Sequence, residues 1–345
     1  MNREDIAENE EYQISKYIII DTLGYGGSSE VKLVCDVNTE QFYAMKKCRC
    51  RKDAKVEAEI LRMLNHPGIP KLHDYFEIEN DAYLVTEYVK GKTIDELQRE
   101  GSYRDGLTYD ITAGTCKQGG SFEVAVKLAE ILCYIHTFPT PLVHGDLKPE
   151  NIILTKSGEV KLIDFGSAHF LGEEPETIRS TPGFAAPEME KGRSGLRSDV
   201  YAFGMIYAQL MSGKRLDFAG KNTAFLMRMG LNKSEAKVVQ CCLNVRESQR
   251  YPSGKEVLKA LKACDSKERI RCVIKQWKSF ICTDVGGVLV FLGLMIFYLL
   301  NQYRGKYLIL AGCILLLIQL ISSSRKRISG DGEYTVLSSV FLAEN

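Results

Sequence analysis

Polar and apolar positions change their period twice along the chain. Over residues 17–89 short runs alternate with period two, the mark of strands with one buried face. Strands are predicted over 17–23, 31–35, 41–47, 72–79 and 82–89. One helix interrupts them over 52–64, where Val56, Ile60, Met63 and Leu64 form an apolar stripe with Glu57 and Glu59 beside it. His66-Pro67-Gly68-Ile69-Pro70 stops that helix. From residue 90 the period becomes helical. A short helix is predicted over 93–100 and a strong one over 122–136, with Val124, Leu128, Ile131, Leu132 and Ile135 on its buried face. The glycine-rich segment 101–120 is weakly periodic and reads as a surface loop or insertion. A strand over 160–163, a nearly continuous apolar helix over 199–211 and short helices to residue 264 follow. Two final runs, 285–300 and 307–321, are apolar on all sides.

At 345 residues the chain suits two lobes plus an appendage. The expected class is α+β. A five-stranded lobe with one main helix spans 17–89, and a mainly helical lobe spans 90–264. Residues 1–16 read as a polar lead-in. A net charge of +1 gives no electrostatic case for a nucleic-acid partner. The 11 cysteines include no Cys-x-x-Cys spacing, which disfavours a structural zinc site. Reduced thiols in a cytosolic compartment are expected.

The candidate chemistry sits at the element ends. Asp146, Lys148 and Asn151 lie within six residues, on a loop between the 122–136 helix and the apolar triplet Ile152-Ile153-Leu154. Gly145 and Pro149 keep that loop from becoming helix. A base, a cation and an amide converging on one point suit phosphoryl transfer; a polar loop satisfying its own backbone is the plainer alternative. Gly24-Tyr25-Gly26-Gly27-Ser28-Ser29-Glu30-Val31 joins two strands and can lay backbone N–H groups over phosphates. Lys46 shares a strand face with Ala44 and needs a partner if it points inward; Glu57 is the candidate. Asp164 ends a buried strand before Phe165-Gly166 and is placed as a Mg²⁺ ligand, with Asn151 as a second oxygen donor. The segment 167–180 is polar and reads as mobile.

Six motifs in fixed order resemble the eukaryotic-type protein kinase family over about 17–264: the 24–31 loop, Ala44-Met45-Lys46, Glu57, the 144–151 loop, Asp164-Phe165-Gly166 and Ala186-Pro187-Glu188. The resemblance implies a two-lobed kinase-like fold that binds ATP and Mg²⁺ and phosphorylates protein Ser or Thr. Gly24, Gly26 and Val31 would cover the nucleotide. Val31, Ala44 and the hinge from Glu87 to Val89 would enclose adenine, with Thr86 as gatekeeper. Lys46 would hold the α- and β-phosphates and pair with Glu57. Asp146 would be the base, Lys148 the charge neutraliser, and Asn151 and Asp164 the metal ligands. Glu188 and Arg250 resemble the family's buried ion pair, and Asp199 the residue that braces the catalytic loop. Lys148 resembles the Ser/Thr-directed branch, and Thr181 the Thr that contacts the catalytic Asp and Lys.

Two departures stand out. Ser29 replaces the third loop glycine, and Gly145 stands where most members carry the Arg that pairs with a phosphorylated activation segment. Activity without activation-segment phosphorylation is therefore expected. A nucleotide-binding pseudokinase scaffold is the alternative, which the intact Lys46, Glu57, Asp146, Asn151 and Asp164 argue against.

Each apolar run with its flanks approaches the ~20 residues needed to cross a bilayer. Two transmembrane helices are expected, over about 285–303 and 305–321, after a basic juxtamembrane linker, 265–284, and before a tail, 322–345. A helical hairpin packed on the preceding domain is the soluble alternative. Lys275, Lys278, Arg325, Lys326 and Arg327 flank the outer ends, against Arg304 and Lys306 in the connector. The positive-inside rule then predicts a multi-pass protein of the cell membrane with both ends cytoplasmic.

Overall fold

The computed structural model describes residues 15–25, 29–100, 107–110, 115–118, 120–173, 178, 181–212 and 223–264. These belong to one compact unit, Met1–Ser266. The N-terminal lobe is an antiparallel sheet of β1 (Tyr17–Tyr25), β2 (Ser29–Asp36), β3 (Phe42–Cys48), β4 (Leu72–Ile78) and β5 (Asp81–Glu87), in the order β1-β2-β3-β5-β4. Tyr17, Val34, Tyr43, Met45, Phe76 and Val85 form the core of one face. Tyr17 Oη and Lys16 Nζ both donate to Asp74 Oδ2 at 3.0 Å, which ties the two ends of the sheet order together. Paired residues share a face of a sheet, and alternate residues of a strand face opposite ways. With Tyr43 and Met45 in the core, Ala44 and Lys46 must lie on the other face, with their partners Leu33 and Val31.

Helix α1 (Arg51–Met63) carries the first correction. Its buried residues are Ala54, Glu57, Ala58, Ile60 and Leu61, while Val56 and Met63 of the expected stripe are 44% and 45% exposed. The helix is rotated so that Glu57 lies within the buried face. Two alanines let the helix approach the sheet, and the burial of Glu57 is offset by an ion pair described below.

In the C-terminal lobe, β6 (Gly91–Thr93) leads into α2 (Ile94–Arg99), whose capping box is Thr93 with Glu96. Segment 101–120 contains a hairpin of β7 (Leu107–Asp110) and β8 (Thr115–Gln118) where a loop was expected. Thr108, Tyr109, Thr115 and Cys116 favour extended backbone, but runs of four residues are too short for their period to be read. Helix α3 (Gly120–His136) packs on α4 (Leu196–Ser212), in which every residue from Ser198 to Leu210 except Tyr201 is buried. Helices α5 (Thr223–Arg228), α6 (Lys233–Cys242) and α7 (254–264) complete the lobe. β9 (Leu142–Val143), β10 (Ile152–Thr155), β11 (Val160–Leu162) and β12 (His169–Phe170) frame the catalytic loop. β10 pairs with β11 and β6, and β12 with β9.

Cys35, Cys48, Cys50, Cys133, Cys241, Cys242 and Cys264 are free thiols, and among the described residues no helix is long and apolar enough to cross a membrane. The expected linker 265–284, the spans 285–303 and 305–321, the tail 322–345 and most of the 1–16 lead-in lie outside the described residues.

The rotation of α1 has a measurable consequence. Ile60→Ala, at a 2% exposed position, is expected to destabilise the protein by about 2–5 kcal/mol. Val56→Ala is expected to change stability by less than about 0.5 kcal/mol in denaturant unfolding. Equal losses would place the stripe where the sequence pattern put it.

Candidate active site

The site is assembled where β3, α1 and the end of β11 meet. Lys46 Nζ lies 2.8 Å from Glu57 Oε2 and 2.6 Å from Asp164 Oδ1. The backbone N–H of Phe165 donates to Glu57 Oε1 at 3.2 Å. One buried carboxylate thus joins the helix, the strand and the segment after β11. Burial opposes the charge on Lys46, but the two carboxylates outweigh it and hold its pKa above the usual lysine range. Burial also disfavours the Asp164 carboxylate, yet Lys46 prevails and its pKa falls to about 2. Asp164 has φ +65°, a left-handed conformation uncommon outside glycine, so its side chain is aimed at some backbone strain.

The loop between β9 and β10 carries the second cluster. Lys148 Nζ is 2.5 Å from Asp146 Oδ2, and Thr181 Oγ1 donates to Asp146 Oδ1 at 2.7 Å. Lys148 also reaches Thr181 Oγ1 at 3.3 Å. The Asn151 amide nitrogen donates to the backbone carbonyl of Asp146 at 2.9 Å, which leaves Asn151 Oδ1 to face a cation. Asn151 Oδ1 and the ionised Asp164 are two hard oxygen donors. That set fits a Mg²⁺ ion whose remaining positions are filled by water and phosphate. The metal would neutralise phosphate charge there.

Beneath the loop lies a buried bracket that the sequence reading only partly anticipated. Asp199 on α4 accepts from His144 N at 2.7 Å and Gly145 N at 3.0 Å. Burial opposes its ionisation, but the hydrogen bonds from the His136 ring and from the His144 backbone N–H keep its pKa below the usual carboxylate value. His136 Nδ1 accepts from Gly254 N at 2.9 Å, so its Nε2 carries the proton donated to Asp199 Oδ2 at 3.1 Å. His136 was not singled out, because a histidine closing an apolar helix looks like an ordinary polar terminus. His144 is fully buried, and burial pushes its imidazole down; its ring meets Phe165 edge-on at 5.1 Å.

Residues assigned to the nucleotide fall in several places. Val31 pairs with Lys46, and Ala44 with Thr86. Gly24 has open space around it, and Val89 is buried. The Glu87 carboxylate accepts from Lys161 Nζ on β11 at 2.9 Å, a link across the lobes that the sequence did not suggest. Gly26 lies outside the described residues. Farther off, Arg250 makes two hydrogen bonds to Glu188, at 2.6 and 2.8 Å, and Ser198 Oγ donates to Glu188 Oε1 at 2.8 Å. The Arg250 guanidinium lies 4.8 Å from the Tyr201 ring centre.

Comparison with known proteins agrees with this architecture. The family described as "Protein kinase domain" matches residues 17–279. This chain belongs to the protein kinase family. It is 33% identical over 232 residues to the serine/threonine-protein kinase cds1 of Schizosaccharomyces pombe, covering 61% of this chain and 47% of that protein. It is 29% identical over 269 residues to the SNF1-like protein kinase ssp2 of the same organism, covering 74% and 42%. With the serine/threonine-protein kinase PknD of Protochlamydia amoebophila it shares 26% identity over 290 residues, covering 70% and 29%. The chain thus spans less than half the length of these curated relatives.

The Glu188–Arg250 pair is testable by pH. Burial opposes the Glu188 carboxylate, but Arg250 and Ser198 hold its pKa below the ordinary value of 4.5. A depressed carboxylate pKa contributes stability above that ordinary value and loses it as pH falls below. Glu188→Gln leaves Arg250 buried without its counter-charge and is expected to cost about 3–5 kcal/mol at pH 7. The deficit relative to wild type should shrink as pH falls below 4.5, read by denaturant unfolding. A pH-independent deficit would show that charge is not what holds this pair.

Proposed function

We propose that this protein transfers the γ-phosphoryl group of ATP to Ser or Thr hydroxyls of protein substrates. The observation that carries the reading is the pairing at Asp146: Oδ2 with Lys148 and Oδ1 with the Thr181 hydroxyl. A carboxylate that already holds one alcohol at 2.7 Å is placed to accept a proton from another. Lys148 would then neutralise charge on the transferring group, and Lys46, locked by Glu57, would hold the α- and β-phosphates. Asn151 and Asp164 would bind Mg²⁺. The relatives reported above, two of them serine/threonine-protein kinases, support the same substrate class.

The proposal includes independence from activation-segment phosphorylation. Gly145 offers no side chain to a phosphate, and Lys46 and Glu57 are paired at 2.8 Å. Transfer of labelled phosphate to a generic protein substrate tests both parts. Asp146→Asn should lower turnover by about 100-fold or more. Thr177→Ala with Ser180→Ala should leave it within a few-fold. Undiminished transfer by Asp146→Asn would overturn the catalytic assignment, and a loss of orders of magnitude in the double variant would overturn the independence.

The proposal also places this kinase at the cell membrane, anchored through 285–303 and 305–321 with its kinase domain and tail cytoplasmic. The support is compositional: two runs apolar on all sides, with basic residues concentrated at the outer flanks. Gly305→Cys in the full chain should react with an impermeant thiol reagent on intact cells. Labelling only after permeabilisation would reject this topology.

A further inference from the structure

We propose that Gly145 is a positioning residue: its missing side chain lets the catalytic loop close onto the backbone of Ser167, and this contact holds the start of the activation segment. A Cβ at position 145 would stand 2.6 Å from the Ser167 carbonyl oxygen, 3.4 Å from its carbon and 3.5 Å from the Ser167 Cβ. The first of these is closer than side chains tolerate, and the obstacle is backbone, which cannot swing aside as the end of a side chain would.

Left-handed backbone alone does not explain the glycine. Gly145 has φ +79°, and Gly158 and Gly192 have φ +80° and +71°, yet a Cβ at either of those would meet nothing within 4 Å. Among the described positive-φ glycines, Gly145 combines the conformation with a backbone atom inside 3 Å. Both sides of the contact are held. On the loop side, His144 N and Gly145 N are bound to the buried Asp199. On the segment side, Ser167 O meets His169 Nδ1 at 3.2 Å, and His169 pairs with Val143 in the β9–β12 ladder. Both strands of backbone are thus restrained at the point where they meet.

The consequence is catalytic geometry. Asp146 follows Gly145 directly, and Ser167 lies three residues after Asp164. The contact therefore fixes the base relative to the carboxylate that faces the nucleotide. It supplies by backbone packing the anchoring that a phosphate bridge would otherwise provide. The inference rests on the phosphotransfer reading above for its kinetic arm only.

The test uses the full chain. Gly145→Asn keeps a residue that accepts left-handed backbone but adds a Cβ, and Gly145→Ala adds the Cβ with the strain. Both are expected to lower kcat about 10- to 100-fold, with Kd for ADP within twofold of wild type. Hydrogen exchange at residues 167–171 should quicken in both. Gly158→Ala, with the same φ and open space, should leave kcat unchanged. Gly145→Arg should be as slow as Gly145→Ala whether or not the activation segment is phosphorylated. A fully active Gly145→Asn would overturn the proposal, as would a Gly145→Arg enzyme that phosphorylation restores. Should the variants fail to fold, wild type decides: exchange at 145 and 167–171 should be the same before and after phosphatase treatment, and faster exchange afterwards overturns the proposal. That arm does not depend on catalysis, so wild type without kinase activity would sink the functional reading and leave the contact open to its own test.

Discussion

A buried carboxylate survives only if hydrogen bonds replace the water it has lost, and Asp199 turns that requirement into architecture. Its oxygens accept from two successive backbone amides of the catalytic loop and from His136. His136 in turn is bound by the first residue of α7. Three helices and the loop therefore meet at a single charge, within a lobe whose central helix is buried almost from end to end. The loop that carries Asp146, Lys148 and Asn151 is irregular backbone until a single 3-10 turn at Pro149–Asn151, and its irregular start is held by these bonds in place of a helical or sheet ladder.

The second joint is Glu57. It lies in the buried face of α1, accepts from Lys46 on the sheet and from the Phe165 amide, and Lys46 extends the link to Asp164. Helix, sheet and C-terminal lobe are coordinated through two ion pairs that share Lys46 and one backbone hydrogen bond. Removing either partner would strand a buried charge, so the pair favours a single arrangement of the lobes more than it adds raw stability. Lys161 with Glu87 makes another link between the lobes, at the hinge.

Much of this was legible in the sequence, and for identifiable reasons. Strands such as β3 and β5 showed because one face is buried, so their period survives in the pattern; β1, mostly exposed beyond Tyr17, showed through its run of β-branched residues. The catalytic loop showed because Asp146, Lys148 and Asn151 are close in the chain. The α1 face did not. Two competing stripes differ by one residue of rotation, and the observed one uses alanines and a glutamate, which carry little hydrophobic signal. The 107–118 hairpin was lost to its brevity. His136 and Lys161 escaped because their partners are 63 and 74 residues away.

The sequence by itself determined the two-lobed class, the family resemblance and which carboxylate, cation and amide stand together on one loop, since these depend on local period and short spacing. It also marked Gly145 as unusual, but only as an absent cation. The tertiary structure decided which face of α1 is buried, which histidine fixes the catalytic loop, and that Gly145 sits against the Ser167 carbonyl. Those facts belong to pairs of residues distant in the chain, and the space between two backbones is set by everything packed behind each of them.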